Sequence, residues 1–185
     1  ISSVVTANEI KMAKADWDTG YFQAEIYKTA LEKMGYKVTE PKAMKPQVFY
    51  LAAAAGDLDL WVNGWFGTHN TYLKEAKGKV KTVGYVMKKS GLQGYLIDKK
   101  SADKYGIKTI YDIKKHAKKF DSNGDGKADL VACPPGWGCE KSVQSHFDEL
   151  GLDEFVNLIK ADYSASIADA IARYKNGESI LFYTW

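Results

Sequence analysis

Short apolar segments alternate with amphipathic segments along this chain, and the alternation predicts an α/β fold. The first apolar segment, residues 10–17, is a predicted strand. A helix is predicted next, because apolar residues recur there at i, i+4 spacing. They are Phe22, Ile26, Ala30 and Met34. Gly35 follows at the position where a left-handed residue commonly ends a helix.

The same two periodicities, with glycine stops, predict the remaining elements. Further strands are predicted at residues 36–39, 58–65, 93–98, 130–132, 156–161 and 180–185. Further helices are predicted at residues 47–55, 110–119, 140–150 and 166–176. The last of these has a capping-box pattern at its start, Ser166 followed by Asp169. Lys and Gly concentrate between residues 88 and 110, so we divide the chain into lobe 1, residues 1–97, and lobe 2, residues 98–185.

Charge and composition exclude two classes of protein. The 26 basic and 23 acidic residues are dispersed, and Arg173 is the only arginine, which does not fit a nucleic-acid-binding surface. No apolar run approaches the roughly 18 residues of a membrane helix, so we expect no direct membrane insertion. The start, Ile1-Ser-Ser-Val-Val5, is not a signal peptide, which indicates either a mature exported protein or a cytosolic one.

Sequence motifs give no indication of an enzyme. The chain has no G-x-S-x-G elbow, no Walker A loop, no dinucleotide fingerprint and no H-E-x-x-H pair. The histidines His69, His116 and His146 are too far apart to form a metal-ligand pattern. We therefore expect no catalytic residue and no required cofactor.

An oxygen-rich loop at residues 121–129 resembles the first part of a Ca²⁺-binding loop. Positions 1, 3, 5, 7 and 9 of that loop are Asp121, Asn123, Asp125, Lys127 and Asp129, and position 6 is a glycine. Hard Ca²⁺ takes six to eight oxygen ligands, so these residues are candidate metal ligands. The alternative is an Asx-rich turn whose side chains bond their own backbone, because position 12 is an alanine where an EF-hand has a bidentate Glu. A Ca²⁺-stabilised structural or interaction module built on this loop is one alternative function.

The segment Cys133-Pro-Pro-Gly-Trp-Gly-Cys139 stands directly before a predicted helix. Amides at a helix N-terminus attract anions, so a carboxylate could bind here; a stiff surface turn is the alternative. The two cysteines are the only ones in the chain and fit either a disulfide in an exported protein or free thiols in the cytosol.

Five tryptophans and twelve tyrosines make the chain rich in aromatic residues. Trp65 and Trp185 end predicted strands, and Trp137 lies in the cysteine segment. Ligands of α/β proteins bind beyond the carboxyl ends of strands, so the three indoles together suggest a shared cleft. An aromatic cage is the physical solution for binding a quaternary ammonium ion.

Six collinear segments that cover almost the whole chain resemble the periplasmic glycine betaine/proline betaine-binding proteins of ABC importers. They are residues 30–38 (ALEKMGYKV), Trp65 with His69, residues 93–100 (QGYLIDKK), residues 120–130 (FDSNGDGKADL), residues 135–140 (PGWGCE) and residues 182–185 (FYTW). The resemblance implies a type II periplasmic-binding-protein fold, in which two α/β lobes close on a ligand around a hinge. It also implies a periplasmic or extracytoplasmic location and a membrane permease as partner.

The resemblance assigns a role to each candidate site residue. Trp65, Trp137 and Trp185 correspond to the tryptophans that box the trimethylammonium group. His69 and the backbone amides of Gly138 and Cys139 correspond to the groups that hold the carboxylate. Cys133 and Cys139 correspond to the family's disulfide.

Members of that family run substantially further than this sequence. We therefore expect lobe 1 to lack its C-terminal return segment. An enzyme acting on small amines is a second alternative, but it would need an acid/base pair near the cage and the sequence offers only His69.

Overall fold

The computed structural model of the chain describes residues 9–185, so the start that was searched for a signal peptide lies outside the described residues. The chain divides into two compact units, Ile1–Lys89 and Ser90–Trp185, each with its own β-sheet. The predicted boundary, between residues 97 and 98, lies a few positions after the boundary in the structure. Residues 94–97 form a strand that pairs within the second unit, so they belong to that unit.

Three parallel strands in the order β2-β1-β3 form the sheet of the first unit. In chain order its elements are β1 (Met12–Ala15), α1 (Asp18–Lys33), β2 (Lys42–Met44), α2 (Pro46–Ala55), β3 (Leu60–Trp61) and α3 (Asn70–Glu75). The side chains of β1 are buried except at Lys14, as expected of a central parallel strand covered on both faces. This confirms the predicted first strand, helix 47–55 and strand 58–65, although β3 is much shorter than predicted.

Helix α1 ends as predicted but does not bury its predicted apolar face. Gly35 takes a φ of 93° directly after the helix, a conformation that glycine adopts without strain. The side chains of Phe22, Ile26 and Met34 are exposed by 68%, 50% and 71%. The helix instead packs on β1 through the small residues Gly20 and Ala24. A Cβ at Gly20 would lie 2.4 Å from the Cβ of Ala15, so glycine is needed for this close approach.

The strand predicted at residues 36–39 is wrong. Only one bridge forms in that segment, between Ile10 and Val38, and the strand that pairs with β1 is β2, a few residues later. Strand β2 has two exposed residues and carries little apolar signal, so the hydrophobic pattern does not predict it.

Four strands in the order β4-β7-β5-β6 form the sheet of the second unit, and β4 is its one antiparallel member. In chain order the elements are β4 (Gly94–Ile97), α4 (Lys99–Tyr105), α5 (Ile113–His116), β5 (Ala128–Val131), α6 (Cys139–Glu149), β6 (Val156–Ile159), α7 (Tyr163–Lys175) and β7 (Leu181–Thr184). Every residue of β5 is buried, because this strand lies inside the sheet. The strands and helices predicted after residue 130 are confirmed, with shifted boundaries.

The helices of the second unit differ from the sequence interpretation in three ways. The helix predicted at residues 110–119 is present as consecutive 3₁₀, α and 3₁₀ turns with α5 at its centre, and the Asp112 carboxylate caps its start by accepting from the amides of Lys108 and Thr109. Helix α4 was not predicted, since its seven residues are largely charged. Helix α7 begins before Ser166, because Asp162 caps it by accepting from the amide of Ala165 at 2.8 Å.

The strand ends of the second unit are held together by buried polar contacts. The carboxylate of Asp98 accepts from the amide of Ser101 at 2.8 Å and from the amide of Ile180 at 3.1 Å. This joins the end of β4 to the start of β7. Among the helices of residues 9–185, none is long and apolar enough to cross a membrane.

Candidate ligand-binding site

Three aromatic rings meet at the carboxyl ends of the parallel strands in the second unit. Trp137 follows β5, Tyr163 follows β6 and Trp185 follows β7. The ring centroid of Trp137 lies 5.3 Å from that of Trp185 and 5.7 Å from that of Tyr163. The centroids of Tyr163 and Trp185 are 4.9 Å apart. The two indoles stand at 76° to each other, so their faces form a corner.

Tyr163 was missed by the sequence analysis. Its hydroxyl donates to the backbone carbonyl of Tyr183 at 2.6 Å, which fixes the ring between the two indoles. The available signal was its position just after the predicted strand at 156–161, where strand-end residues of an α/β sheet collect. The missed cap at Asp162 hid it, because the helix was predicted to begin later.

The loop that carries Trp137 is held at both ends. A disulfide joins Cys133 to Cys139, with their Cα atoms 6.0 Å apart, which confirms the predicted bridge. Within the loop, the amide of Gly136 donates to the Glu140 carboxylate at 2.9 Å. The Trp137 side chain is 6% exposed. These contacts leave the indole little freedom of orientation.

Helix α6 begins inside this closed loop. Its first residue is Cys139, Gly138 precedes it as N-cap, and no side chain caps the helix. The first amides of a helix have no intrahelical acceptor and stand at the positive end of the helix dipole. The amides of Gly138 and Cys139 are therefore suited to an anion, next to the corner formed by Trp137 and Trp185.

The other two candidate residues lie together in the first unit. Strand β3 ends at Trp61, so Trp65 stands in the loop beyond the strand rather than at its end as predicted. Its indole nitrogen donates to the side-chain oxygen of Asn63 at 2.7 Å, which fixes the ring. His69 precedes α3 as its N-cap residue, and its side chain is buried.

His69 is bound through one ring nitrogen. Its Nδ1 accepts from the backbone amide of Trp65 at 3.2 Å and lies 3.3 Å from the Tyr50 hydroxyl oxygen. Burial lowers the pKa of His69 to about 4, because the surroundings disfavour the charged ring. Burial also raises the pKa of Tyr50 to about 12. Both groups are therefore neutral near pH 7.

Each half of the predicted residue set is thus brought together within its own unit. Trp137, Gly138, Cys139 and Trp185 cluster in the second unit, with Tyr163 added. Trp65 and His69 are hydrogen-bonded neighbours in the first.

The loop at residues 121–129 is an Asx-type turn, and the Ca²⁺ hypothesis is without support. The carboxylate of Asp121 accepts from the amides of Asn123, Gly124 and Gly126, at 2.7 to 3.2 Å, and these bonds lower its pKa. Asp129 accepts from the amide and hydroxyl of Ser122 at 2.8 and 2.7 Å.

The remaining candidate metal ligands also have partners within the fold. Asp125 accepts from the amide of Lys127 at 2.9 Å and from the side chain of Asn157 at 2.7 Å. The side-chain amides of Asn123 and Asn157 both donate to the Asp129 carboxylate. The Lys127 ammonium donates to a backbone carbonyl. Across residues 9–185, no group of three or more His, Cys, Asp or Glu side chains is placed to hold a metal ion.

Comparison with known proteins identifies the family. A family described as the substrate-binding domain of ABC-type glycine betaine transport systems matches residues 8–185. The chain is 43% identical over 167 residues to the glycine betaine-binding periplasmic protein OusX of Dickeya dadantii (strain 3937), covering 89% of this chain and 50% of that protein. It is 41% identical over 167 residues to the glycine betaine/proline betaine-binding periplasmic protein of Escherichia coli (strain K12), covering 89% and 51%. The chain spans about half the length of these relatives.

Solved structures support the fold. The glycine betaine, L-proline-binding protein ProX of Borrelia burgdorferi matches with a TM-score of 0.77 at 22% identity, covering 96% of this chain and 63% of that one. Lactococcal OpuAC, in its closed conformation with glycine betaine, matches with a TM-score of 0.73 at 17% identity, covering 96% and 64%. The fold is that of type II periplasmic binding proteins, as the sequence indicated. By sequence and by fold, this chain belongs to the family of substrate-binding domains of ABC-type glycine betaine transport systems.

Proposed function

We propose that this chain binds glycine betaine, or a closely related quaternary-ammonium osmoprotectant, as the solute-binding component of an ABC importer. The observation that carries the proposal is the corner of Trp137 and Trp185 beside the uncapped N-terminus of α6. This arrangement supports a site that binds a cation through aromatic faces and an anion through neighbouring amides. The relatives named for glycine betaine binding agree with this choice of ligand.

The aromatic corner suits a cation that offers no hydrogen-bond donor. A trimethylammonium group is weakly hydrated and is attracted to the negative face of an indole. Such contacts contribute about 2 kcal/mol or more each when they are desolvated. Trp137, Tyr163 and Trp185 supply three faces within one unit, and the resemblance adds Trp65 as a further indole.

The amides of Gly138 and Cys139 would hold the carboxylate of the ligand. They lie on a loop closed by the Cys133–Cys139 disulfide, so little loop entropy is lost when they bind. His69 enters the proposal through the resemblance as an additional donor to the carboxylate. Its ring is neutral near pH 7, so its role is that of a hydrogen-bond donor and not of a countercharge.

Selectivity follows from what the aromatic corner lacks. A less methylated amine keeps N–H groups, and burying them against indole faces leaves donors unsatisfied at about 1 to 3 kcal/mol each. Glycine betaine should therefore bind better than dimethylglycine. Buried cation–π contacts are also little screened by salt, which suits capture of an osmoprotectant at high ionic strength.

The location and partner are part of the same proposal. The relatives are named as periplasmic proteins. We propose that this chain acts in the periplasm or outside the cytoplasm, delivers its ligand to a membrane permease, and catalyses no reaction.

Replacing Trp137 by alanine tests the proposed cage. We expect glycine betaine binding, measured by isothermal titration calorimetry, to fall below detection in Trp137→Ala, because the central face of the corner is lost. Tyr174→Ala is the matched control, since Tyr174 is an exposed aromatic residue on α7 and should leave binding unchanged. Unchanged affinity in a folded Trp137→Ala protein would refute the cage.

A further inference from the structure

The surroundings of His69 determine which of its ring nitrogens carries the proton. The side chain is 2% exposed, so water does not compete for its polar atoms. Its Nδ1 lies 3.2 Å from the backbone nitrogen of Trp65 and 3.3 Å from the hydroxyl oxygen of Tyr50. Both neighbours approach the same nitrogen.

The backbone amide decides the direction of these bonds. An amide N–H can only donate, so Nδ1 must accept from Trp65. A proton on Nδ1 would place two donors against each other in a buried site, at the cost of an unmade hydrogen bond. A neutral imidazole carries one ring proton, and the amide bond to Nδ1 favours the position of that proton on Nε2.

Tyr50 supports the same arrangement from helix α2. Its side chain is 4% exposed, and its ring stands edge-on to the imidazole, with 5.6 Å between centroids and an angle of 81°. Burial keeps the phenol protonated, so its hydroxyl can donate to Nδ1. A Cβ on Gly64 would meet this hydroxyl oxygen at 3.6 Å, so the loop before Trp65 packs against it. Tyr72 borders the imidazole as well, at 5.8 Å.

We propose that Tyr50 is a positioning residue that acts with the Trp65 amide to hold His69 as the Nε2–H tautomer. The ring then presents one fixed N–H donor, the form that a ligand carboxylate requires. The opposite tautomer would turn a lone pair toward the carboxylate and repel it. The tautomer assignment concerns the ligand-free protein, whereas its use in binding rests on the proposed function.

Nuclear magnetic resonance of ¹⁵N-labelled histidine tests the tautomer without any ligand. At pH 7 we expect the His69 Nδ1 signal of the unmodified protein at the position of an unprotonated nitrogen and its Nε2 signal at that of a protonated one. In Tyr50→Phe, which keeps the ring and removes the hydroxyl, the two signals should move toward each other as the tautomers begin to exchange. A protonated Nδ1 in the unmodified protein would overturn the assignment.

Calorimetry with two ligands tests the consequence for binding. Loss of the Tyr50 hydroxyl should raise the Kd of glycine betaine by about three- to tenfold, which is the effect of one hydrogen bond. The Kd of choline should change less than twofold, because choline has no carboxylate. Tyr105→Phe is the control, since Tyr105 stacks on His116 in the other unit and should change neither Kd. The positioning role is overturned if the His69 signals and the betaine Kd do not change together in Tyr50→Phe. It is also overturned if the Kd of choline rises as much as that of betaine. Binding of neither ligand by an unmodified protein with the expected tautomer would instead refute the proposed function.

Discussion

The environment of single residues determines which chemistry is available near neutral pH. His69 is the clearest case, because burial removes its charge without a countercharge and leaves a neutral donor. Burial likewise favours the neutral form of Tyr183 and Tyr95. Burial raises the pKa of Tyr95 to about 12 and that of Tyr183 further, so both phenols stay protonated. The phenols of Tyr95 and Tyr183 therefore bring no charge to the strands beside the aromatic corner.

Acid should destabilise the protein through His69. Its pKa is about 4 in the folded state against 6.5 in the unfolded state, so between these values only the unfolded chain binds the proton. Stability from this residue is complete above pH 6.5 and is lost as the pH falls toward 4, by up to about 3 kcal/mol. Urea unfolding from pH 7.5 to pH 4.5 measures this loss.

The variant His69→Gln separates this effect from that of the carboxylates. Glutamine does not titrate, so the unfolding free energy of the variant should fall less over the same pH range. The plots of unfolding free energy against pH for the variant and the unmodified protein should diverge below pH 6.5. Parallel curves would show that His69 is not buried as a neutral ring.

At the scale of elements, the disulfide loop has two effects on one segment. It restricts the conformational freedom of the unfolded chain, and it holds the start of α6 beside Trp137. In the chain-entropy model a loop this short contributes about 2 to 3 kcal/mol. The double variant Cys133→Ser/Cys139→Ser should lose about that much stability in urea unfolding and should bind glycine betaine more weakly.

Reductant provides the control for the disulfide prediction. It should lower the stability of the unmodified protein toward that of the double serine variant and leave the variant unchanged. Equal betaine affinity with and without the disulfide would mean that the loop is ordered by its other contacts, such as the Gly136–Glu140 bond.

The sequence predicted most elements because burial and periodicity coincide in them. Strand β5 is wholly buried and apolar apart from Asp129, and α6 has its predicted residues Val143 and Phe147 in the core. Prediction from the sequence failed where a polar side chain determines the end of a helix. Asp162 starts α7 early, and its effect depends on a hydrogen bond that a hydrophobic pattern does not register.

The candidate site was predicted residue by residue but not as a geometry. Trp185 was predicted from its strand end and Trp137 from the cysteine segment, and the structure places their ring centroids 5.3 Å apart. Tyr163 was missed because the predicted helix begins at Ser166, which leaves this residue in a loop rather than at the start of α7. Its role depends on the hydroxyl reaching the Tyr183 carbonyl, a contact between residues on different elements.

At the scale of the molecule, the first unit leaves much apolar surface in contact with water. Phe22 and Ile26 on α1 and Met34 just after it are exposed, as are Val48 and Leu51 on α2. An i, i+4 spacing therefore established the helix but not what its apolar side contacts. The chain spans about half of its curated relatives, so the comparison concerns only this portion of their fold.

Thermal unfolding of the whole chain should separate ligand binding from metal binding. A ligand that binds only the folded state stabilises it by about 2.7 kcal/mol at one hundred times its Kd, so glycine betaine should raise the melting temperature in proportion to the logarithm of its concentration. A chelator such as EDTA should not change it, because Asp121, Asp125 and Asp129 already accept hydrogen bonds from within the fold. Proline at the same concentration is the control, since its ammonium keeps N–H groups that the aromatic corner cannot satisfy. If EDTA lowers the melting temperature and added Ca²⁺ restores it, the loop at residues 121–129 stabilises the fold through a metal ion. Equal rises in melting temperature with proline and with betaine would contradict selection by an aromatic cage.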